Sequence, residues 1–161
     1  MTPADVLPSP IFSISTQPAG VQFSGLDSFA DFKNIWVVDF EFGEGPDLLP
    51  KVRCMVAREI LSGTLFSLWA DELVKVTKPP FDIGDDSLFV VFFASAEILC
   101  FRKLGWPRPA HILDLYAEAR RVWNPPPEGM GGRGLLDVAR RLGLDPPPDA
   151  FKEEMRSLAL R

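Results

Sequence analysis

The sequence predicts an α/β domain in which a mixed sheet is flanked by helices. Three observations support this class: compact apolar runs come first, a hairpin signal joins two of them, and helical segments follow the last run. Strands, then a strand-to-helix switch, then helices are the order expected of such a fold. The 161 residues suffice for one domain with a core, and no internal repeat is visible.

The first half of the chain predicts three strands in an antiparallel meander. Ile35–Phe42 is a compact apolar run, as expected for a buried central strand. The glycines and prolines of Gly43–Pro50 then end it in a turn. Val52–Ile60 and Thr64–Trp69 are joined by Leu61–Gly63, which predicts a hairpin.

The next strand leads directly into a helix. After a polar connection, Leu88–Ala94 is the most strand-like run in the chain. We expect this strand to run parallel to the central one. Ser95 is a natural N-cap for a helix over Ala96–Leu104, and Gly105 stops that helix.

The rest of the chain predicts an N-terminal arm and three further helices. Residues 1–30, rich in Pro, Ser and Gln, form a loose arm, with one short strand around Gly20–Phe23. Residues 31–161 form the domain. The three helices are predicted at about Leu113–Val122, Gly134–Leu142 and Asp149–Leu160. A Pro/Gly-rich loop at Asn124–Gly134 lies between the first and the second of them.

The composition argues against a membrane or secreted protein. No apolar run approaches the length of a membrane span. The N-terminus lacks the basic start and apolar middle of a signal peptide. We therefore expect a cytoplasmic protein with no membrane partner, and Cys54 and Cys100 as reduced core residues.

The charge is unevenly distributed along the chain. The net charge is −5, which argues against bulk electrostatic capture of nucleic acid. Residues 1–99 carry a balance of −8 and residues 100–161 a balance of +3. This asymmetry suits a metal site beside a wall that binds a phosphate backbone, and it equally suits an ordinary domain with uneven loops.

Asp39 and Glu41 are the strongest candidates for chemistry. They lie two residues apart in an apolar strand, so both side chains project from the same face. Burying two such carboxylates is costly unless a cation lies between them, and hard oxygen ligands suit Mg²⁺ or Mn²⁺. The alternative is that the strand end is exposed and both acids are merely solvated.

Two further acids lie at helix starts. Glu97 falls in the first turn of the helix after the strongest strand, and Asp114 opens the next helix. Taken locally, both are acids that stabilise a helix N-terminus, which is common on any helix. The local sequence therefore favours that structural role for both.

Four segments in order resemble one family. Asp39-Phe40-Glu41 resembles the Asp-x-Glu first motif of the DEDD exonucleases. Phe93–Glu97, Leu104–Pro109 and Leu113–Arg120 are similar to the exonuclease region of phage- and plasmid-type family A DNA polymerases. The resemblance runs from about Ile35 to the end of the chain.

The resemblance implies a ribonuclease H-like fold and a two-metal phosphodiesterase using Mg²⁺ or Mn²⁺. Asp39 would bridge both ions, and Glu41 would bind one and position the attacking water. Glu97, where the family has an aspartate, would be a third ligand, and Asp114 an auxiliary metal-binding acid. The substrate would be a single-stranded DNA 3′ end, in a bacterial, phage or plasmid context, with a polymerase domain in cis or in trans.

Two more residues are candidates for binding the substrate. Phe42, beside the acid pair, could stack on the terminal base, and Arg133, in the Pro/Gly-rich loop, could contact a phosphate. The family's third motif, a Tyr or His four to five residues before a last Asp, is not present. We therefore expect an exonuclease domain that is C-terminally incomplete. The alternatives are a catalytically inactive ribonuclease H-like module that binds DNA or docks on a polymerase, and an RNA-trimming exonuclease.

Overall fold

The computed structural model describes residues 29–125, 128 and 132–159. The arm predicted from the sequence, including its short strand around Gly20–Phe23, lies outside the described residues except for Phe29 and Ala30. The described strands and α-helices, in chain order, are β1 (Asn34–Gly43), β2 (Lys51–Glu59), β3 (Leu65–Trp69), α1 (Ala70–Leu73), β4 (Ser87–Val91), α2 (Ala94–Leu104), β5 (His111–Asp114), α3 (Leu115–Val122), α4 (Leu135–Arg141) and α5 (Asp149–Ala159).

The strands form one five-stranded mixed sheet in the order β3-β2-β1-β4-β5. β1 pairs antiparallel with β2, and β2 antiparallel with β3, as the predicted meander requires. β4 is parallel to β1, and β5 is parallel to β4. The predicted α/β class is therefore confirmed, and the mixed sheet with its flanking helices is that of a ribonuclease H-like fold.

The junction between β4 and α2 differs from the prediction. β4 ends at Val91 rather than Ala94, and α2 begins at Ala94 with Phe93 as its N-cap instead of Ser95. Phe93 has a φ of 96°, a left-handed conformation that is rare for an aromatic residue. The apolar run favours a strand locally, but the chain must leave the sheet here to enter α2.

Two short elements were missed by the sequence analysis. The predicted helix from Leu113 begins only at Leu115, because His111–Asp114 forms β5, a second parallel strand. Four residues carry too little periodicity to mark a strand, and their pairing with β4 depends on tertiary structure. The one-turn helix Ala70–Leu73 after β3 was likewise not predicted. α4 and α5 agree with prediction within the described residues.

The main core lies on one face of the sheet. Trp36, Val38 and Phe40 of β1 project into it, together with Cys100 and Phe101 of α2. A smaller cluster of Ile35, Leu88 and Val90 lies on the other face. The two-residue period of β1 thus divides its side chains between the two faces.

The prediction of reduced core cysteines holds fully for Cys100 and in part for Cys54. Cys100 is buried and Cys54 partly buried, and both are free thiols. Among the described residues, no helix is long and apolar enough to span a lipid bilayer.

Candidate functional site

Asp39 and Glu41 project from the face of β1 that is opposite the main core. The alternate residues Val38 and Phe40 are buried in that core, so the two acids must face the other way. Asp39 is exposed and Glu41 is half-buried. The pair is therefore reached by solvent, and its two charges do not by themselves require a cation between them.

Glu97 is the buried one of the three acids Asp39, Glu41 and Glu97. Its side chain is only 6% exposed, in the first turn of α2. The ladder between β1 and β4 ends at Val37 and Val90, and beyond that point the backbone N–H of Phe40 donates to the Glu97 carboxylate. Its Oε2 atom is buried and has no hydrogen-bond partner among the described residues.

The environment of Glu97 disfavours its charged form. Burial is the largest cause, and the negative charges of Asp39 and then Glu41 add to it, while the N–H of Phe40 acts in the opposite direction. Together they raise the pKa of Glu97 to about 8. An acid with such a pKa beside two other carboxylates holds a proton near neutral pH unless positive charge is supplied.

The carboxylates of Asp39, Glu41 and Glu97 meet one of two requirements of a site for a hard divalent cation, the type of ligand atom but not its grouping. Each offers oxygen donors of the kind that Mg²⁺ and Mn²⁺ prefer, and the buried Oε2 of Glu97 has no hydrogen-bond partner among the described residues. Within the described ranges, however, no three His, Cys, Asp or Glu side chains are grouped so that they could hold a metal ion. The donor set therefore fits in type, but its side chains are not grouped closely enough to hold an ion.

The neighbouring thiols do not add to this donor set. Cys54 pairs with Glu41 across the β1–β2 ladder, and burial is the main cause that raises its pKa. Burial, with the charges of Glu97 and Asp39, also raises the pKa of the Cys100 thiol. Because only the thiolate binds metal well, the carboxylates remain the relevant ligands.

Asp114 has a different environment from the other three acids. Its Oδ1 accepts the backbone N–H groups of Phe93 at 3.2 Å, Tyr116 at 2.9 Å and Ala117 at 3.2 Å. Its Oδ2 accepts the N–H of Ala94 at 3.0 Å. Four backbone N–H groups thus contact a carboxylate that has about four acceptor positions. The geometry favours the structural role, and we leave Asp114 out of the metal site.

The two predicted substrate-binding residues lie in different places. Phe42 lines an open groove of about 610 Å³ at the end of β1, opposite Leu48 and Leu99. Arg133 instead donates through Nη2 to Asn124 at 3.2 Å, within the loop before α4. Phe42 also packs against the main core, whereas Arg133 has a partner within its own loop.

Two charged residues near β1 were missed by the sequence analysis. Glu59 is 3% exposed and accepts N–H groups from Ile35, at 2.9 Å, and from Ser62. Arg53 is skipped by the β1–β2 register, since Glu41 pairs with Cys54 and Phe42 with Val52. Such bulges are enriched beside functional sites, but the sequence carries no local signal for either feature.

Comparisons with known proteins do not assign the chain to a family. No protein-family model matches it, and a search of curated proteins finds no significant match.

Proposed function

We propose that this chain is a metal-dependent 3′–5′ exonuclease domain that removes nucleotides from single-stranded DNA 3′ ends. In this proposal it is the proofreading part of a family A DNA polymerase, with Asp39, Glu41 and Glu97 as its metal-binding carboxylates. The observation that carries the proposal is the buried, unpartnered oxygen of Glu97, which lies in the electrostatic field of Asp39 and Glu41. A protein seldom leaves such an oxygen without a partner.

The three acids have distinct tasks under this proposal. Two divalent cations, Mg²⁺ or Mn²⁺, supply Lewis acidity and a hydroxide nucleophile when bound. Asp39 and Glu41 offer their oxygens on the side that solvent and a phosphodiester can reach. Glu97 offers its oxygen from the protein interior, and it gives up the proton that burial favours when Oε2 faces positive charge.

The groove at the end of β1 supports a nucleic-acid substrate. Its wall combines the aromatic ring of Phe42 with the aliphatic side chains of Leu48 and Leu99. Aromatic and apolar surfaces of this kind bind unstacked bases without strong sequence preference. The excess of basic residues in 100–161 would contact the phosphate backbone.

The test is hydrolysis of a 5′-labelled single-stranded oligodeoxynucleotide with Mg²⁺ or Mn²⁺. We expect stepwise shortening from the 3′ end by the wild type and none by Asp39→Ala. The matched control is Asp71→Ala, which removes an exposed acid at the start of α1 and should leave the rate unchanged. Activity that survives in Asp39→Ala would refute the assignment.

The same experiment separates the proposal from its alternatives. A catalytically inactive ribonuclease H-like module would bind the oligonucleotide, or a polymerase domain in cis or in trans, without shortening it. An RNA-trimming enzyme would shorten an oligoribonucleotide of the same sequence faster than the DNA. Since a DNA exonuclease acts where chromosomes or plasmids replicate, the proposal also places the protein in the cytoplasm.

A further inference from the structure

Asp114 makes more hydrogen bonds than capping its own helix requires. It is the N-cap of α3 and accepts the N–H groups of Tyr116 and Ala117, which is what an N-cap aspartate normally does. The same carboxylate also accepts the N–H groups of Phe93 at 3.2 Å and Ala94 at 3.0 Å. These two donors are 20 or more residues away in sequence and belong to the entrance of α2.

The second pair of bonds holds a strained junction. Val91 and Asp114 are paired at the ends of the adjacent parallel strands β4 and β5. Immediately after Val91 the chain turns through Phe93, whose φ of 96° is unfavourable for a residue with a Cβ atom. Such a conformation persists only where its surroundings fix it, and the Asp114 carboxylate is one of the groups that do so.

Aromatic packing reinforces the same point. The Tyr116 ring, in the first turn of α3, meets the Phe93 ring edge-on at 5.2 Å and the Phe92 ring at 5.9 Å. The start of α3 therefore contacts the start of α2 through hydrogen bonds and through ring packing. Both sets of contacts converge on the β4–α2 junction.

The junction determines where Glu97 lies. Ala94 is the first residue of α2, and Glu97 lies in the first turn of the same helix. A helical turn is rigid, so a shift of the Ala94 N–H is carried to the Glu97 side chain. Glu97 must reach the Phe40 N–H of β1, which leaves little freedom for such a shift.

We propose that Asp114 is a positioning residue that fixes Glu97 against Asp39 and Glu41 through the N–H groups of Phe93 and Ala94. The consequence for catalysis rests on the exonuclease function proposed above, whereas the mechanical link does not. Asp114 itself contacts neither metal nor substrate in this proposal.

The test uses Asp114→Ser, Phe93→Gly and the double variant in the full chain. Serine is a good N-cap for α3, but its single, shorter side-chain oxygen cannot accept from both the start of α3 and the entrance of α2. Glycine adopts a positive φ without strain, so Phe93→Gly removes the strain that Asp114 helps to hold. Hydrogen exchange of the segments 92–98 and 115–122 is measured for all three, together with kcat and KM on the single-stranded DNA.

We expect Asp114→Ser to speed exchange in 92–98 and leave 115–122 unchanged. It should lower kcat by about 10–100-fold with KM unchanged, a loss typical of removing a group that orients a metal ligand. In the Phe93→Gly background, which already lacks the strain and the ring contact with Tyr116, Asp114→Ser should speed exchange in 92–98 by a smaller factor than in the wild type. Faster exchange in 115–122 alone, or faster exchange in 92–98 with wild-type kcat, would overturn the proposal.

A wild type without Asp39-dependent hydrolysis would refute the exonuclease function and leave the positioning role testable. Mn²⁺ affinity, measured by calorimetry, then replaces kcat. We expect about tenfold weaker Mn²⁺ binding in Asp114→Ser. Equal Mn²⁺ affinity in the two proteins, or no Mn²⁺ binding by the wild type, would overturn the proposed positioning role.

Discussion

Glu59 and Glu97 are both buried glutamates beside the central strand, and their environments are opposite. Glu59 is 3% exposed and Glu97 is 6% exposed, so burial opposes the charge of both. At Glu59 the N–H groups of Ile35, Ser62 and Leu61 outweigh burial and lower the pKa to about 2. At Glu97 a single N–H is outweighed by burial and two negative neighbours, and the pKa rises to about 8.

The difference separates a structural acid from a functional candidate. Glu59 closes the β2–β3 hairpin through Ser62 and ties it to the start of β1 through Ile35. Its charge is satisfied, so nothing further needs to bind there. Glu97 retains an oxygen without a partner, which costs free energy in the folded state unless a proton or a cation is present. Perturbed acids of this second kind are the ones that mark functional sites.

The largest expected effect on stability is that of Glu59→Ala. The substitution leaves the buried N–H of Ile35 without its acceptor, and losing a hydrogen bond to a charged group costs about 1.5–3 kcal/mol. We expect the free energy of unfolding, measured by urea titration at pH 7, to fall by that amount. Asp71→Ala, which removes an exposed acid, should change it by less than about 0.5 kcal/mol. Equal effects of the two substitutions would remove the contrast.

Glu97→Gln should have a smaller effect, of the opposite sign. Glutamine keeps the shape and removes the buried charge, so we expect a gain of about 0.5–2 kcal/mol at pH 8.5 without metal, as is usual when a strained functional residue is relieved. The measurement is the same urea titration with a chelator present. A loss of stability at pH 8.5 would mean that the Glu97 charge is already satisfied.

The two glutamates should also give opposite pH dependences. The pKa of Glu59 lies below its unfolded value of about 4.3, so its stabilisation is complete above that pH and is lost as the pH falls towards 2. The pKa of Glu97 lies above its unfolded value, so its contribution is complete below about 4.3 and is lost as the pH rises through about 8. Differences in unfolding free energy from Glu59→Gln and Glu97→Gln, measured from pH 2 to 9, should therefore change in separate windows. If the two differences in unfolding free energy changed in the same way with pH, the opposite pKa shifts of Glu59 and Glu97 would be contradicted.

The sequence predicted the strands and the turn around these acids, because they depend on local pattern. The compact apolar run Ile35–Phe42 was enough to locate β1, and the spacing of Asp39 and Glu41 put both on one face. The hairpin of β2 and β3 around Leu61–Gly63 was predicted correctly as well. Its strands and turn are contiguous in sequence, so their signals need no tertiary partner.

The burial of both glutamates could not be predicted in the same way. Glu59 ends an ordinary strand, and its acceptor role depends on Ile35, which is 24 residues away. Glu97 has the local sequence of a helix N-terminal acid, and only the resemblance to the exonucleases suggested more. β5 and the left-handed Phe93 also arise from tertiary pairing, through Val91 and Asp114, rather than from local preference. The sequence left open whether the acid pair is buried around a cation or solvated. Asp39 is exposed, Glu41 is half-buried, and Glu97 is the buried acid.

The most direct test of the contrast is calorimetric titration of the full chain with Mn²⁺ at pH 7.5. We predict that the wild type binds Mn²⁺, that Glu97→Gln binds at least about tenfold more weakly, and that Asp71→Ala binds like the wild type. Wild-type affinity in Glu97→Gln, or no Mn²⁺ binding by the wild type, would show that the unpartnered oxygen of Glu97 is not a metal ligand.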